Sequence, residues 1–554
     1  MGFRLSFLRL FNRKTLRRFH QELGDTRGAQ QRRLAEILAS ESEAGYLAGK
    51  GVTPTSSPDA YRSRLPVVDY DDLWPYIEPL VREGNATTAP TVTSQTVSMF
   101  LKTSGTTGRP KLLPVTPGYE ASTDRGRRIW IERMLTEDER NALGAHLTIV
   151  SPAHEDHTAG GLPVGANTGR IWIRQPEFLR AFSAIPYETC GLTDFDLRYW
   201  AILRLALQRP EVGTFTTANP STVLLICQRI MEWGPALAAA IENGSFGREF
   251  EGTPMAPTWN TEATRKALTR SLRPNPARAQ ALRDAIEEGE DGLLKRIWPD
   301  LTTVNCWQGG HAPIYLHRLG TYLRGIPIRD PGFSASEGLF GIPLRSGTAE
   351  GVLHNSGPFM EFVPEGEGLD RTLLSHELEV GKRYQLIATT AGGLWRYNMK
   401  DLIEVTDFLE STPLVRFLSK AGGTLSVTGE KVTVEHAVGA AAAVVEEFGV
   451  DNLCATVEFS DPPRYVVAVE GEGDRAKIAA AWDACMSRLN IEYREKRASG
   501  RLGPPRVELV PPGAFHAWRR RRVEAGAPDG QVKLPPLLPN LDAMTSGPLW
   551  GHIK

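Results

Sequence analysis

Residues 100–116 read FLKTSGTTGRPKLLPVT, with hydroxyls, glycines and one lysine gathered into a turn between apolar runs. Glycine lets a backbone approach an anion closely. Ser104, Thr106 and Thr107 add hydroxyl and amide donors and Lys111 adds a point charge, so an oligophosphate is the guest this chemistry suits. It is not a Walker loop, because Pro110 stands where G-x-x-x-x-G-K-[ST] requires glycine before the lysine. The same residues also spell a polar hairpin turn punctuated by Gly and Pro, so the rest of the chain has to decide.

With 554 residues the chain can bury a large core and should divide into two or more domains. Its 41% hydrophobic and 23% charged residues are those of an ordinary globular protein, and a net charge of -1 gives no global field for nucleic acid. Cys190, Cys227, Cys306, Cys454 and Cys485 form no C-x-x-C pair, which argues against a zinc site or disulfide framework and suits a reducing, cytoplasmic setting. The apolar run AVGAAAAVV at 437–445 is about half of the roughly 20 residues a bilayer crossing takes, so no membrane span is expected. The basic start, MGFRLSFLRLFNRKTLRRFH, suggests an amphipathic helix, and Arg9 breaks any signal-peptide core. Packing against the body is the expected role of that helix, with membrane-surface binding as the alternative. HEDH at 154–157 resembles a metal cluster only on paper, since adjacent loop residues seldom converge on one ion. The arginines at 519–522 read as a solvated face.

Helical periodicity appears at 28–47, 221–240 and 261–297. Strand-like runs alternate with it: LTIVSP from 147, VGTFTT from 212, TTVNCW from 302, IPIRD from 326 and YQLIATT from 384. Such alternation favours sheets flanked by helices, an α/β class. After LVRFLSKAGG (414–423) the pattern becomes a short strand, a helix, a hairpin in LCATVEFSDPPRYVVAVEG, a helix at 473–490 and a last strand in RVELVPP, which together make a smaller α+β unit. The expected division is a large N-terminal domain, 1–419, and a small C-terminal domain, 420–554, hinged near Ser419 to Gly423.

Three further stretches bear on the loop: the segment 307–344 with FSASE at 333–337, GGLWRYNMKDLIEVTDF at 392–408, and GAPDGQVKLPP at 526–536. Together with SGTTGRPK they resemble the adenylate-forming superfamily, and more closely the auxin-responsive acyl acid amido synthetases of the Gretchen Hagen class. FSASE is similar to that family's Y-x-S-S-E, YNMKD to its Y-R-x-G-D, and GQVKLPP to its G-Q-[FY]-K-x-P-R. LPVVDYDDLWPYIEPLVREG, TAGGLPVGANTG and ANPSTVLLI are lesser echoes. Asn398 and Lys400 stand where the family has arginine and glycine, Phe333 where it has tyrosine, and Pro536 where it has arginine.

The resemblance implies a monomeric ATP- and Mg²⁺-dependent ligase whose partners are small molecules, a carboxylic acid and an amino acid. The acid would attack the α-phosphorus of ATP to give an acyl-adenylate and pyrophosphate, and an amine would then displace AMP. Ser104, Gly105, Thr106, Thr107, Gly108 and Lys111 would hold the β and γ phosphates, Ser336 would donate to the α-phosphate and Glu337 would bind Mg²⁺. Asp401 would take the ribose hydroxyls, and the backbone of Gly309, Gly310 and His311 would face Phe333, Ser334 and Ala335 across adenine. Lys533, on a mobile C-terminal domain, would reach the α-phosphate, with Lys431 as a second candidate. Thioester formation with coenzyme A, or nucleotide binding without catalysis, are the alternatives.

Overall fold

The computed structural model describes residues 2–103, 111–142, 144–247, 261–310, 312–420, 424–425, 428, 430, 432–458, 460, 462–524, 527, 529 and 532–538. The chain folds as two compact units: Met1–Leu143 with Val150–Arg180 and Arg329–Ala421, and Gly144–Ile149 with Ala181–Ile328 and Gly422–Lys554.

The first unit is built on an eight-stranded sheet in the order Leu373–Leu374, Phe359–Pro364, Arg383–Thr389, Tyr397–Leu409, Thr412–Lys420, Gly351–Leu353, Gly338–Ile342, Phe333–Ala335. Every pairing is antiparallel. This departs from a simple strand–helix alternation for a local reason: between Phe333 and Lys420 no α-helix intervenes among the described residues, so successive strands close as hairpins. Phe359, Phe362, Leu386, Ile403 and Val415 form its buried side with Leu34 and Ile37 of helix Thr26–Ser40 and Leu73 and Ile77 of helix Tyr70–Glu83. The latter helix opens on a capping box between Asp69 and Asp72. The N-terminal helix, Gly2–Leu23, packs Phe19 and Leu23 against Ile129, Leu339 and Val352, so its C-terminal end does lie on the body. A second, smaller sheet pairs Met99–Thr103 with Lys111–Val115 antiparallel, ending on Thr103 opposite Lys111. The glycine-rich segment therefore joins two hairpin strands, and residues 104–110 themselves lie outside the described residues.

The second unit carries parallel strands Ala145–Thr148, Val212–Thr216 and Thr303–Asn305. Helix Pro220–Asn243 has an Asn219 cap, proline in its first turn, and Gly244 in the left-handed region (φ 69°) as its stop. By length and composition this helix could cross a membrane, which a search for unbroken apolar runs passes over because Gln228, Arg229 and Glu232 interrupt it. Val223, Leu224, Ile226, Ile230 and Ile241 are buried in the unit's core. The C-terminal portion follows the expected order: helix Val434–Phe448, hairpin Leu453–Glu458 and Arg464–Glu470, helix Arg475–Leu489, and strand Arg506–Val510 parallel to the hairpin's second arm. Helix Ala514–Glu524 follows. The residues expected to hinge at 421–423 lie outside the described residues.

Candidate functional site

In the first unit the charged candidates meet around one end of the large sheet. Strand Phe333–Ala335 returns directly into Gly338–Ile342, with Ala335 opposite Gly338, so Ser336 and Glu337 are the two residues of a tight hairpin tip. The Tyr119 hydroxyl, on helix Pro117–Glu137, fixes that tip by donating to the Ser336 carbonyl at 2.9 Å. Phe333 stacks on Phe417 (centroids 5.5 Å) and leans on Phe340 (5.3 Å). Ser334 and Ala335 are half-buried beside it.

Asp401 is buried and pairs across the sheet with Lys420, whose Nζ lies 2.5 Å from Oδ1 and which also donates to the Met399 carbonyl at 3.1 Å. Lys111 Nζ donates to the Tyr397 hydroxyl at 2.9 Å. These groups feel one another. Glu337 keeps some solvent-accessible area, yet burial of its carboxyl raises its pKa, with Lys420 and Lys111 pulling it down and Asp401 adding repulsion. Burial lowers the Lys111 ammonium, opposed by Glu337. Burial also works against the Lys420 charge, but Asp401 and Glu337 outweigh it and hold that pKa above its ordinary value. Glu337, a hard oxygen donor that keeps some solvent-accessible area, fits a Mg²⁺ ligand, while Asp401 is already paired with Lys420. No cluster of three or more His, Cys, Asp or Glu occurs among the described residues, and a metal here would complete its shell with phosphate and water.

The two unusual residues of the YNMKD element have structural roles. Lys400 adopts φ 55°, the left-handed conformation that glycine adopts without strain, at a register shift where Asn398 faces Ile387 and Leu402 faces Gln385. The Asn398 side-chain oxygen accepts from Lys400 N at 3.1 Å and from Gln385 Nε2 at 2.5 Å, closing the bulge, and Lys400 Nζ pairs with Asp69 at 3.0 Å.

In the second unit, Trp307, Gly309 and Gly310 follow strand Thr303–Asn305, and Gly310 needs its glycine at φ 64°. Lys533 places its Nζ 3.9 Å from the centroid of the Trp307 ring, bringing the C-terminal lysine beside the glycine turn. His311, Lys431, Ser104, Gly105, Thr106, Thr107 and Gly108 lie outside the described residues.

One expectation is corrected. Arg519 is not part of a solvated arginine face, because it is buried with Asp529, Tyr199 and Thr222, while Arg520 pairs with Asp196 at 2.5 Å. A nearby acid that could follow it in a turn, Asp529, was the available signal. Residues 154–157 are exposed, with His157 N bound to the Asp156 side chain. Lys420, Tyr397, Tyr119 and Trp307 were not singled out by sequence. Only Lys420 had a readable signal: counting a hairpin back from Glu410 and Ser411 sets it opposite Asp401.

Comparison with known proteins gives one consistent family. The model of the GH3 family N-terminal domain matches residues 15–328, that of the GH3 family central domain 351–420, and that of the GH3 family C-terminal domain 432–542. The chain is 27% identical to indole-3-acetic acid-amido synthetase GH3.8 of Oryza sativa subsp. indica, over 91% of this chain and 87% of that protein. It is 24% identical to jasmonoyl-L-amino acid synthetase JAR6 of Nicotiana attenuata, over 94% and 93%. The solved structure of GH3.15 acyl acid amido synthetase superposes with a TM-score of 0.80 at 20% identity, over 96% of this chain and 94% of the other, which shows the fold.

Proposed function

Because this chain belongs to the GH3 family, we propose that it is an ATP-dependent acyl acid amido synthetase that adenylates a carboxylic acid and passes the acyl group to an amino acid amine. The observation that carries the reading is the charge cluster of Lys111, Glu337, Asp401 and Lys420 at one sheet end of the first unit.

A carboxylate is a poor acyl donor because its carbonyl is electron-rich and oxide is a poor leaving group. Attack of the acid's oxygen on the α-phosphorus, with pyrophosphate departing, answers both. Positioning and charge neutralisation dominate such a step. Lys111, with the hydroxyls and amides of 104–108, takes the β and γ phosphates; burial lowers its basicity and Glu337 opposes that loss. Asp401 accepts from the ribose hydroxyls with Lys420 holding its carboxylate in place, Ser336 donates to the α-phosphate, and Gly309, Gly310 and His311 with Phe333 flank adenine. Mg²⁺ held by Glu337 would neutralise phosphate charge. Lys533 supplies the cation at the α-phosphate, with Lys431 as a second candidate. The amine, as its free base, then attacks the acyl carbon and AMP leaves. The enzyme works as a monomer in the cytoplasm, where its five buried thiols stay reduced.

The test is exchange of labelled pyrophosphate into ATP across a panel of aryl, indole and fatty acids. Exchange that requires both an acid and Mg²⁺ supports the reading, whereas ATP binding without exchange for any acid favours a catalytically inactive binder. Glu337→Gln should raise the Mg²⁺ requirement. In the parent enzyme protons compete with metal for the raised Glu337 carboxyl, so the requirement should also grow as pH falls toward the acid range.

A further inference from the structure

Lys533 lies on a short span of chain fastened by side chains before it and by backbone hydrogen bonds after it. Before it, Asp529 is buried and accepts from the Tyr199 hydroxyl at 2.9 Å and from Arg519 Nε at 2.9 Å, with Arg198 Nη1 at 3.6 Å. Arg519, also buried, gives its other arm to Thr222 Oγ1 at 2.7 Å. After it, the Pro536 carbonyl accepts from Ala455 N at 2.9 Å and Leu538 N donates to the Ala455 carbonyl at 2.8 Å, so the tail runs alongside strand Leu453–Glu458. Between these fastenings Val532 offers its carbonyl to Asn219 Nδ2 at 3.3 Å, and Lys533 Nζ meets the Trp307 face at 3.9 Å. Trp307 is tied to the same segment, its N–H donating to the Ala218 carbonyl at 3.0 Å.

A lysine has four rotatable side-chain bonds and a compact, strongly hydrated charge, so a backbone anchor alone does not aim it. An aromatic face under the ammonium restricts it and replaces part of its hydration with the ring's quadrupole. A buried ion pair adds little net stability and is best attested as a device that selects one arrangement. We propose that Trp307 and the Arg519–Asp529 pair are positioning residues for Lys533, the pair setting the backbone span and the indole setting the ammonium beside the Gly309–Gly310 turn. The proposal rests on the reading of Lys533 as the lysine that acts at the α-phosphate.

A double-mutant cycle separates the two. Trp307→Leu should lower kcat for pyrophosphate exchange about tenfold with little change in KM for ATP, and Trp307→Phe, which keeps a ring face, should recover most of it. In a Lys533→Ala background the same Trp307→Leu change should cost less than about twofold, because its effect runs through the lysine. Equal losses in both backgrounds overturn the positioning role while leaving the catalytic reading of Lys533 intact. If Lys533→Ala alone is silent, the catalytic reading fails and the positioning is judged by a signal independent of activity. Full-length protein is ¹³C-methylated on its lysines, and the Lys533 resonance is assigned by its loss in Lys533→Arg. It should be shifted upfield by the indole ring current, lose that shift in Trp307→Leu and lose part of it in Asp529→Asn. An unshifted Lys533 signal in the parent protein, or one unchanged by Trp307→Leu, overturns the proposal even if Asp529→Asn does not fold.

Discussion

Each unit holds a buried guanidinium–carboxylate pair near its own candidate residues, and the two pairs differ in what surrounds them. Arg396 and Glu361 meet inside the large sheet, Nη2 to Oε1 at 2.8 Å and Nε to Oε2 at 3.0 Å, and Arg396 also donates to the carbonyls of Arg62 and Leu65. Asp401 follows on the same strand, paired with Lys420 on one side and lying at the bulge between Asn398 and Leu402 on the other. Arg519 and Asp529 instead join the last described helix to a tail that runs on beside strand Leu453–Glu458. Asp401 is carried by a paired strand beside a bulge, whereas Lys533 lies between a buried ion pair and a short backbone bridge, with the Trp307 ring under its ammonium. Both pairs are buried, so breaking either should cost stability, and breaking the second should in addition lower the rate through Lys533.

The largest effect should come from Glu361→Ala, which strands the Arg396 charge in the sheet and should remove about 3–5 kcal/mol of stability. Urea unfolding followed by circular dichroism measures it, and a loss no greater than that of a typical surface change would show that the pair is not holding the strand. Next, Lys533→Ala should slow adenylation by about 10²- to 10³-fold, as for other preorganised electrostatic groups, with ATP affinity less affected and the urea midpoint nearly unchanged. An unaltered single-turnover rate would falsify the assignment of Lys533. The smallest effect is at Lys400. Lys400→Gly and Lys400→Ala both lose the Asp69 pair, but only alanine keeps a Cβ at φ 55°, so the glycine variant should be the more stable by about 0.5–1 kcal/mol. Equal stabilities would mean that the bulge relaxes around the side chain.

Much of this was legible in the sequence, and the reasons are particular. The strands and helices from Val432 to Val510 followed from periodicity and turn residues, except helix Ile491–Ala498, which Asn490 separates from the helix before it and which was not read. Glu337 and Asp401 were found by their motifs, and the structure places both at one sheet end through local hairpin geometry. The antiparallel character of the large sheet was not read, since alternation of strand and helix in the preceding segment says nothing of pairing direction. Tyr119 and Trp307 were missed for a different reason: each reaches a partner more than two hundred residues away in sequence, and no local pattern encodes such a contact. Arg519 was misread because an arginine run looks the same on a solvated face as around a buried acid.

The central claim is that an amine, and not a thiol, receives the acyl group, and it is tested most directly on preformed acyl-adenylate. Coenzyme A carries a 3′-phosphate and a pyrophosphate and would need several cations along its entry, yet Arg519 and Arg520 of the arginine run at 519–522 are already engaged by Asp529 and Asp196. A free amino acid needs one cation for its carboxylate and a path for its amine. A mixture of amino acids should therefore accelerate AMP release and yield an N-acyl amino acid by mass spectrometry, with a rate that climbs with pH as the amine loses its proton. Acceleration by coenzyme A with a thioester product, and none by any amino acid, would contradict the amido synthetase account.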